Sequence, residues 1–275
     1  MSVITTSALG MAAKGERTAR MPFLLQVSTL TWRNLLVIFR TPAELIPSVL
    51  ISVFFTLVYK DLLSGAAAFF LPGKDYLAFV LPISIISASL SGAGVAGQAI
   101  VRDIESGYFN KLLLTPISRA AIVLGAIIAG AMVLTLQAAI VMATGLLLGL
   151  QPATGIIGVL AVLGYGLLLG LGFAGFTVAV ALRSGSAGAT QGATFLFFPL
   201  TFITATFTPV ELLTGWIKTA AQLNPITYLL EAMRALLLTG WDGDAMLRGF
   251  LTCAVLALLM FTFAFSSLRA RTQRR

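Results

Sequence analysis

The chain has 275 residues, of which 58% are hydrophobic and only 10% charged, with a net charge of +8. A soluble domain carries about 25% charged residues; here residues 76–101, 120–150, 154–182 and 249–268 hold none at all, which excludes an ordinary water-soluble fold. No histidine is present, which removes the commonest general base and metal ligand, and the single cysteine, Cys253, rules out an intrachain disulfide.

Each uncharged block reaches about 20 residues, the length a helix needs to cross a bilayer. In hydrocarbon the backbone must satisfy its own hydrogen bonds, so the helix is the default. A β-barrel would alternate over segments of about ten residues, and runs such as Leu167-Leu168-Leu169 do not. The expected fold is therefore an all-α integral membrane protein.

Residues 1–21 lack the apolar core of a signal peptide. Their Ser/Ala/Arg bias reads as a disordered cytoplasmic tail, with a transit peptide as the alternative. Residues 22–40 read as an interfacial amphipathic helix. Gln26, Thr29, Arg33 and Arg40 share one face, Phe23, Val27, Leu30, Leu35 and Ile38 lie largely opposite, and Trp32 anchors it at the headgroups. Thr41-Pro42 ends it, and the membrane domain of residues 41–268 begins. Its first span is 42–59, with Glu44 at the cytoplasmic end and an outer loop over 60–75. The second is 76–101, followed by a polar inner segment, 102–119. The third is 120–150, turning at Gln151-Pro152-Ala153 into the fourth, which ends at Arg183. Residues 184–192 form a short inner loop, and 193–208 the fifth span.

Residues 209–239 are too short and too charged for a simple span. Asn224 followed by Pro225 is a helix start, with Asn as the cap and Pro at the first helical position. Gly240 would stop that helix. Glu231 and Arg234, three apart, can pair on one face, and Tyr228 lies between cap and pair. A re-entrant outer hairpin fits this pattern. The sixth span is 249–268, and 269–275 is a basic tail. Six spans place both termini on one side. That side holds 13 of the Lys and Arg residues and the other holds five, so the termini are expected in the cytoplasm. The basic excess then meets anionic lipid rather than nucleic acid.

Gly92-x-Gly94-x-x-Gly97 matches the dinucleotide fingerprint in letters only, since no strand precedes it. Small residues in mid-span instead let helices approach closely. No phosphate-binding P-loop exists: Gly73-Lys74 lacks the earlier glycine and is followed by Asp75. Ion-coupled transport would use ionisable groups inside spans, and spans two, three, four and six contain none. No nucleophile has a base beside it. Energy for any pumping would have to come from elsewhere.

That directs attention to residues 102–119, RDIESGYFNKLLLTPISR. Ile104, Tyr108, Phe109 and Leu112 recur at helical spacing, and Pro116 ends the helix by restricting the residue before it. A short amphipathic helix here either docks into a partner's groove or lies on the membrane.

Glu105-Ser106-Gly107, the run from Lys111 to Arg119 (KLLLTPISR), and Leu223-Asn224-Pro225-Ile226-Thr227-Tyr228 followed by Arg234 resemble the ABC type-2 transporter permeases. The order of elements from about Phe23 to Leu268 agrees, and the daunorubicin-type drug efflux permeases share its style. The resemblance implies that the loop after span two is a cytoplasmic coupling helix touching a nucleotide-binding subunit. It carries that role to Asp103, Glu105, Gly107, Tyr108, Leu112, Thr115 and Pro116, and the hairpin to Asn224, Pro225, Tyr228, Glu231 and Arg234. It implies a second permease copy, ATP and magnesium bound by the partner subunit with no cofactor on this chain, and a place in a bacterial inner (plasma) membrane. The substrate class would be a hydrophobic or amphipathic drug, lipid or glycolipid. Phe195, Phe198 and Phe202, interleaved with threonines, suit such a ligand; packing or lipid contact is the other reading. A membrane scaffold without transport activity is the competing function.

The topology is testable. In a Cys253→Ala background, a Ser106→Cys variant should resist membrane-impermeant thiol reagents in intact cells. Labelling from outside would overturn the orientation.

Overall fold

The computed structural model describes residues 21–67, 75–204 and 210–273, with a few side chains inside that range, such as Glu44, Phe198 and Phe202, left out. The expected tail at 1–21 therefore lies almost wholly outside the described residues. Among the described residues the chain is helical throughout, without strands. It runs through α1 (Phe23–Phe39), α2 (Pro42–Ala67), α3 (Tyr76–Gly92), α4 (Gly94–Glu105), α5 (Tyr108–Leu114), α6 (Arg119–Leu147) and α7 (Gly155–Ser184). It continues through α8 (Ala187–Phe195), α9 (Phe198–Phe202), α10 (Gly215–Leu223), α11 (Pro225–Arg234) with a π turn over Ala235–Thr239, and α12 (Gly243–Gln273).

Four of these are long and apolar enough to cross a membrane: α3 with α4 (Tyr76–Glu105), α6, α7 and α12. The chain is a multi-pass membrane protein. α7 lies at the centre, packed on α12, α6 and α4; α1 runs along α6, and α3 is wrapped by α2 and α6. One core joins α3, α6, α7 and α11. A second joins α1, α4, α5, the first half of α6, and the ends of α7 and α12.

The breaks follow local chemistry. Asp75 caps α3 through its side chain, 2.9 Å from the Leu77 amide. Gly149 and Gly155, both at positive φ, frame the turn between α6 and α7. The π turn frees backbone carbonyls from their usual partners, and Leu236 offers its own to the Thr154 amide at 3.3 Å and hydroxyl at 2.7 Å.

Four expectations need correction. The first long helix does not stop at Tyr59 but continues to Ala67. Lys60 and Asp61 mark a change of polarity, not a helix end, since neither is a breaker. The second is broken at Ala93, between Gly92 and Gly94, and then runs on to Glu105. The loop expected over 184–192 is only Gly185-Ser186. Gly185 has φ +62 and Ser186 caps α8, so residues read as loop filler form a helix instead. Gly97 and Thr190 show why they are small: a methyl at Gly97 would strike the Thr190 side chain and, at 2.7 Å, the Thr177 carbonyl. The fifth span expected over 193–208 is not one helix in its described part, since α8 ends at Phe195 and α9 runs over Phe198–Phe202; its end, 205–208, lies outside the described residues.

α1 packs on the bundle with its expected apolar face: Val27, Leu30, Leu35 and Ile38 are buried, joined by Gln26, Thr31 and Asn34. Thr29 and Arg40 of the expected polar face are exposed, as are Leu24, Trp32, Leu36 and Phe39.

Gly130 tests the packing. A methyl there would come within 2.5 Å of the Ala96 Cβ and 3.1 Å of the Ala174 Cβ, whereas nothing lies within 4 Å of Gly164. In thermal unfolding, Gly130→Val should cost about 1–3 kcal/mol. Gly164→Ala should be neutral or stabilise by about 0.5–1 kcal/mol.

Candidate functional site

Residues 102–119 leave the bundle and return within a few turns. Gly107 makes the reversal. Its φ of +72, with open space around it, means the backbone conformation requires glycine there. α5 then occupies seven residues, and Thr115 turns extended (ψ 157) before Pro116. The Thr115 hydroxyl donates to the Leu112 carbonyl at 2.6 Å. The Ser118 amide donates to Gln26 Oε1 at 2.8 Å, tying the start of α6 to α1.

Asp103 is buried, and its carboxylate takes both arms of the Arg33 guanidinium. Nη2 reaches Oδ1 at 2.5 Å and Nη1 bonds Oδ2. The same guanidinium lies 4.5 Å from the centre of the Tyr108 ring and gives Asn34 a bond of 3.1 Å. Hydrogen bonding to Asp103, with its negative charge, holds the Arg33 pKa above its ordinary value despite partial burial. Asp103 and Tyr108 are thus brought together through an arginine on α1. Bidentate pairing of this kind fixes orientation as well as energy.

The apolar stripe expected to be available for docking is not available. Phe109 and Leu112 are buried in the core formed with Val27, Leu30, Ile122 and Leu268. Arg271 of α12 lies 5.9 Å from the Phe109 ring and donates to the Leu182 carbonyl at 2.8 Å. The surface that remains consists of Glu105, Ser106, Tyr108, Lys111, Leu114, Thr115 and Pro116, with Leu114 88% exposed.

Far along the bundle, α10 and α11 close the other end. From Asp103 back to Phe79 is on the order of 35 Å of helical rise. Asn224 caps α11 at the Ile226 amide (3.0 Å) and donates to the Leu200 and Ile203 carbonyls at 2.7 and 3.0 Å, with Pro225 at the first helical position. Tyr228 donates to the Gln222 carbonyl at 2.7 Å. Arg234 is buried, three residues after Glu231 on α11. Phe195 is exposed, while the side chains of Phe198 and Phe202 lie outside the described part. The backbone of α9, which carries positions 198 and 202, is bonded to the hairpin through Asn224 and the Leu200 carbonyl.

A family model for ABC-2 type transporters matches residues 25–238. The chain belongs to the ABC-2 type transporter family. It is 25% identical over 224 residues to the daunorubicin resistance ABC transporter permease protein DrrB1 of Streptomyces coeruleorubidus, covering 81% of this chain and 78% of that one. It is 23% identical over 226 residues to the probable doxorubicin resistance ABC transporter permease protein DrrC of Mycobacterium tuberculosis, covering 82% of each. It also resembles the probable multidrug ABC transporter permease YbhR of Escherichia coli, at 27% over 170 residues, 61% of this chain and 45% of that one. The match to the family ends at the π turn, so both clusters of this ABC-2 chain fall inside it.

Sequence reasoning missed Arg33 and Gln26 as partners of the 102–119 segment. The available signal was their polar row with Asn34, running through a helix whose remaining face is apolar. In a double-mutant cycle of Arg33→Ala and Asp103→Ala, thermal unfolding should give a coupling of about 1–2 kcal/mol.

Proposed function

We propose that this chain is the membrane-spanning subunit of an ATP-binding-cassette exporter. It moves a hydrophobic or amphipathic compound (a drug, lipid or glycolipid) with ATP and magnesium bound and hydrolysed on a separate nucleotide-binding subunit. It pairs with a second permease copy in a bacterial inner membrane. Six crossings place both termini and residues 102–119 in the cytoplasm, with α1 at the lipid interface and the α10–α11 hairpin re-entering from outside.

One observation carries this reading. The exposed ridge from Glu105 to Pro116 stands at the end of the bundle and is fixed to three other elements by Arg33–Asp103, by Gln26–Ser118 and by burial of Phe109 and Leu112. A partner pressing on that ridge moves α1, α4 and α6 together. Glu105, Thr115 and Pro116 are the contact residues in this reading, with Gly107 letting the partner approach. Asp103, Tyr108 and Leu112 act from behind by holding the ridge. Drug-resistance relatives support the substrate class.

Glu105 is exposed and lies outside the long apolar blocks. Glu105→Lys should therefore leave the permease inserted and folded. It should reduce co-purification with its soluble P-loop ATPase at least about tenfold, the equivalent of one charge-assisted hydrogen bond, or uncouple hydrolysis from export. Normal export with ATPase binding intact would sink the coupling role. Failure of the wild-type chain to retain any such ATPase would sink the exporter reading itself.

A further inference from the structure

α3 has a weak point. Pro82 lies inside it, lacks the amide that the Ala78 carbonyl would accept, and crowds that turn with its ring. At the neighbouring carbonyl, that of Phe79, a donor arrives from outside the helix: Arg234 Nε, at 2.9 Å. Its guanidinium carbon lies 3.5 Å from the centre of the Phe79 ring, and that ring stacks on Tyr76 at 6.0 Å. A proline inside a helix is a recognised place for that helix to bend. Arg234 is 7% exposed, so the bond and the ring contact are formed away from water, where each is stronger.

The other end of this contact is fixed as well. The π turn after Arg234 is bonded to the α6–α7 turn, with the Ala153 amide on the Leu237 carbonyl at 3.0 Å and Thr154 on Leu236. Asn224 binds α11 to the end of α9. Below Pro82, α3 is held by different partners: Gly92 rests against Gln137 and Leu134, and the Ala93 carbonyl accepts from the Thr177 hydroxyl at 2.8 Å. Before Pro82 the α3 backbone is bonded by α11 through Arg234, with the Leu81 side chain against Gly145 of α6; after it, α6 and α7 hold the helix.

We propose that Arg234 is a positioning residue: it holds the first turns of α3 to the α11 hairpin across the Pro82 joint, so that hairpin and residues 76–81 move as one body. Its use, opening and closing one end of the translocation route, rests on the exporter reading; the latch itself does not. Lysine is no substitute, because it offers a point charge without the planar fork that stacks on a ring while donating sideways.

Hydrogen exchange on the full-length permease in lipid nanodiscs, without nucleotide or partner, tests it. In Arg234→Lys the amides of residues 77–81 should exchange at least about tenfold faster, the equivalent of one lost charge-assisted bond, while those of 95–105 stay unchanged. Phe79→Leu, which removes only the ring, should show the same local pattern with a smaller rise, and serves if Arg234→Lys does not fold. In a Pro82→Ala background, where the joint is repaired, Arg234→Lys should have less than half that effect on a logarithmic scale. No local change, an equal rise along the whole of α3 and α4, or an undiminished effect in the Pro82→Ala background would overturn the latch. None of these outcomes bears on whether the chain partners an ATPase, which the Glu105 experiment decides.

Discussion

The helix pair α3–α4 is buried along almost its whole length, and its backbone is interrupted twice. In a protein interior at membrane depth, an unmatched backbone group has no water to turn to. Other elements bond the rod close to these two places. Thr177 of α7 donates to the Ala93 carbonyl, Arg234 of the hairpin donates to that of Phe79, and Arg33 of α1 neutralises Asp103 at the far end. The surrounding helices are thereby tied to a single jointed rod that connects the 102–119 segment to the α11 hairpin.

Close approach to that rod is made possible by small residues. A methyl at Gly92 would collide with Gln137, one at Gly97 with Thr190 and the Thr177 backbone, and one at Gly94 would come within 2.9 Å of Gln191 Oε1. These are the three glycines that spell a dinucleotide fingerprint in letters, and in the fold they are the places where α6, α7 and α8 reach the rod. The same spacing serves phosphate binding on one scaffold and helix packing on another, because in both cases the absent side chain lets another group come near the backbone.

Much of this was legible in the sequence. Uncharged blocks give the long helices, Asn224-Pro225 gives the cap and first turn of α11, and Gly240 (φ +118) ends its π turn. Helix ends were less legible where polarity changed without a breaker, as at Lys60-Asp61, and where small residues imitated a loop, as at 187–192. The apolar face of α1 was legible too, since Val27, Leu30, Leu35 and Ile38 are buried. The partners of its polar residues were not: Arg33 meets Asp103 seventy positions away, and patterning along one helix does not name a distant partner.

Burial of the α5 stripe bears on how the exposed ridge would work in the proposed coupling role. A helix of seven residues does not hold together alone; α5 exists because Phe109 and Leu112 are buried between α1, α6 and α12. A stripe free for docking would have left α5 loose, absorbing a push rather than passing it on. With the stripe committed to its own core, the contact surface is left to a carboxylate, a lysine, a tyrosine edge and one exposed leucine, which suits a partner that binds and releases. Displacing α5 also drags Phe109 against Arg271, whose guanidinium holds the end of α7 through the Leu182 carbonyl. In the proposed coupling role, motion entering at residues 102–119 would reach α7 and α12 as well as the two helices joined to it by the chain.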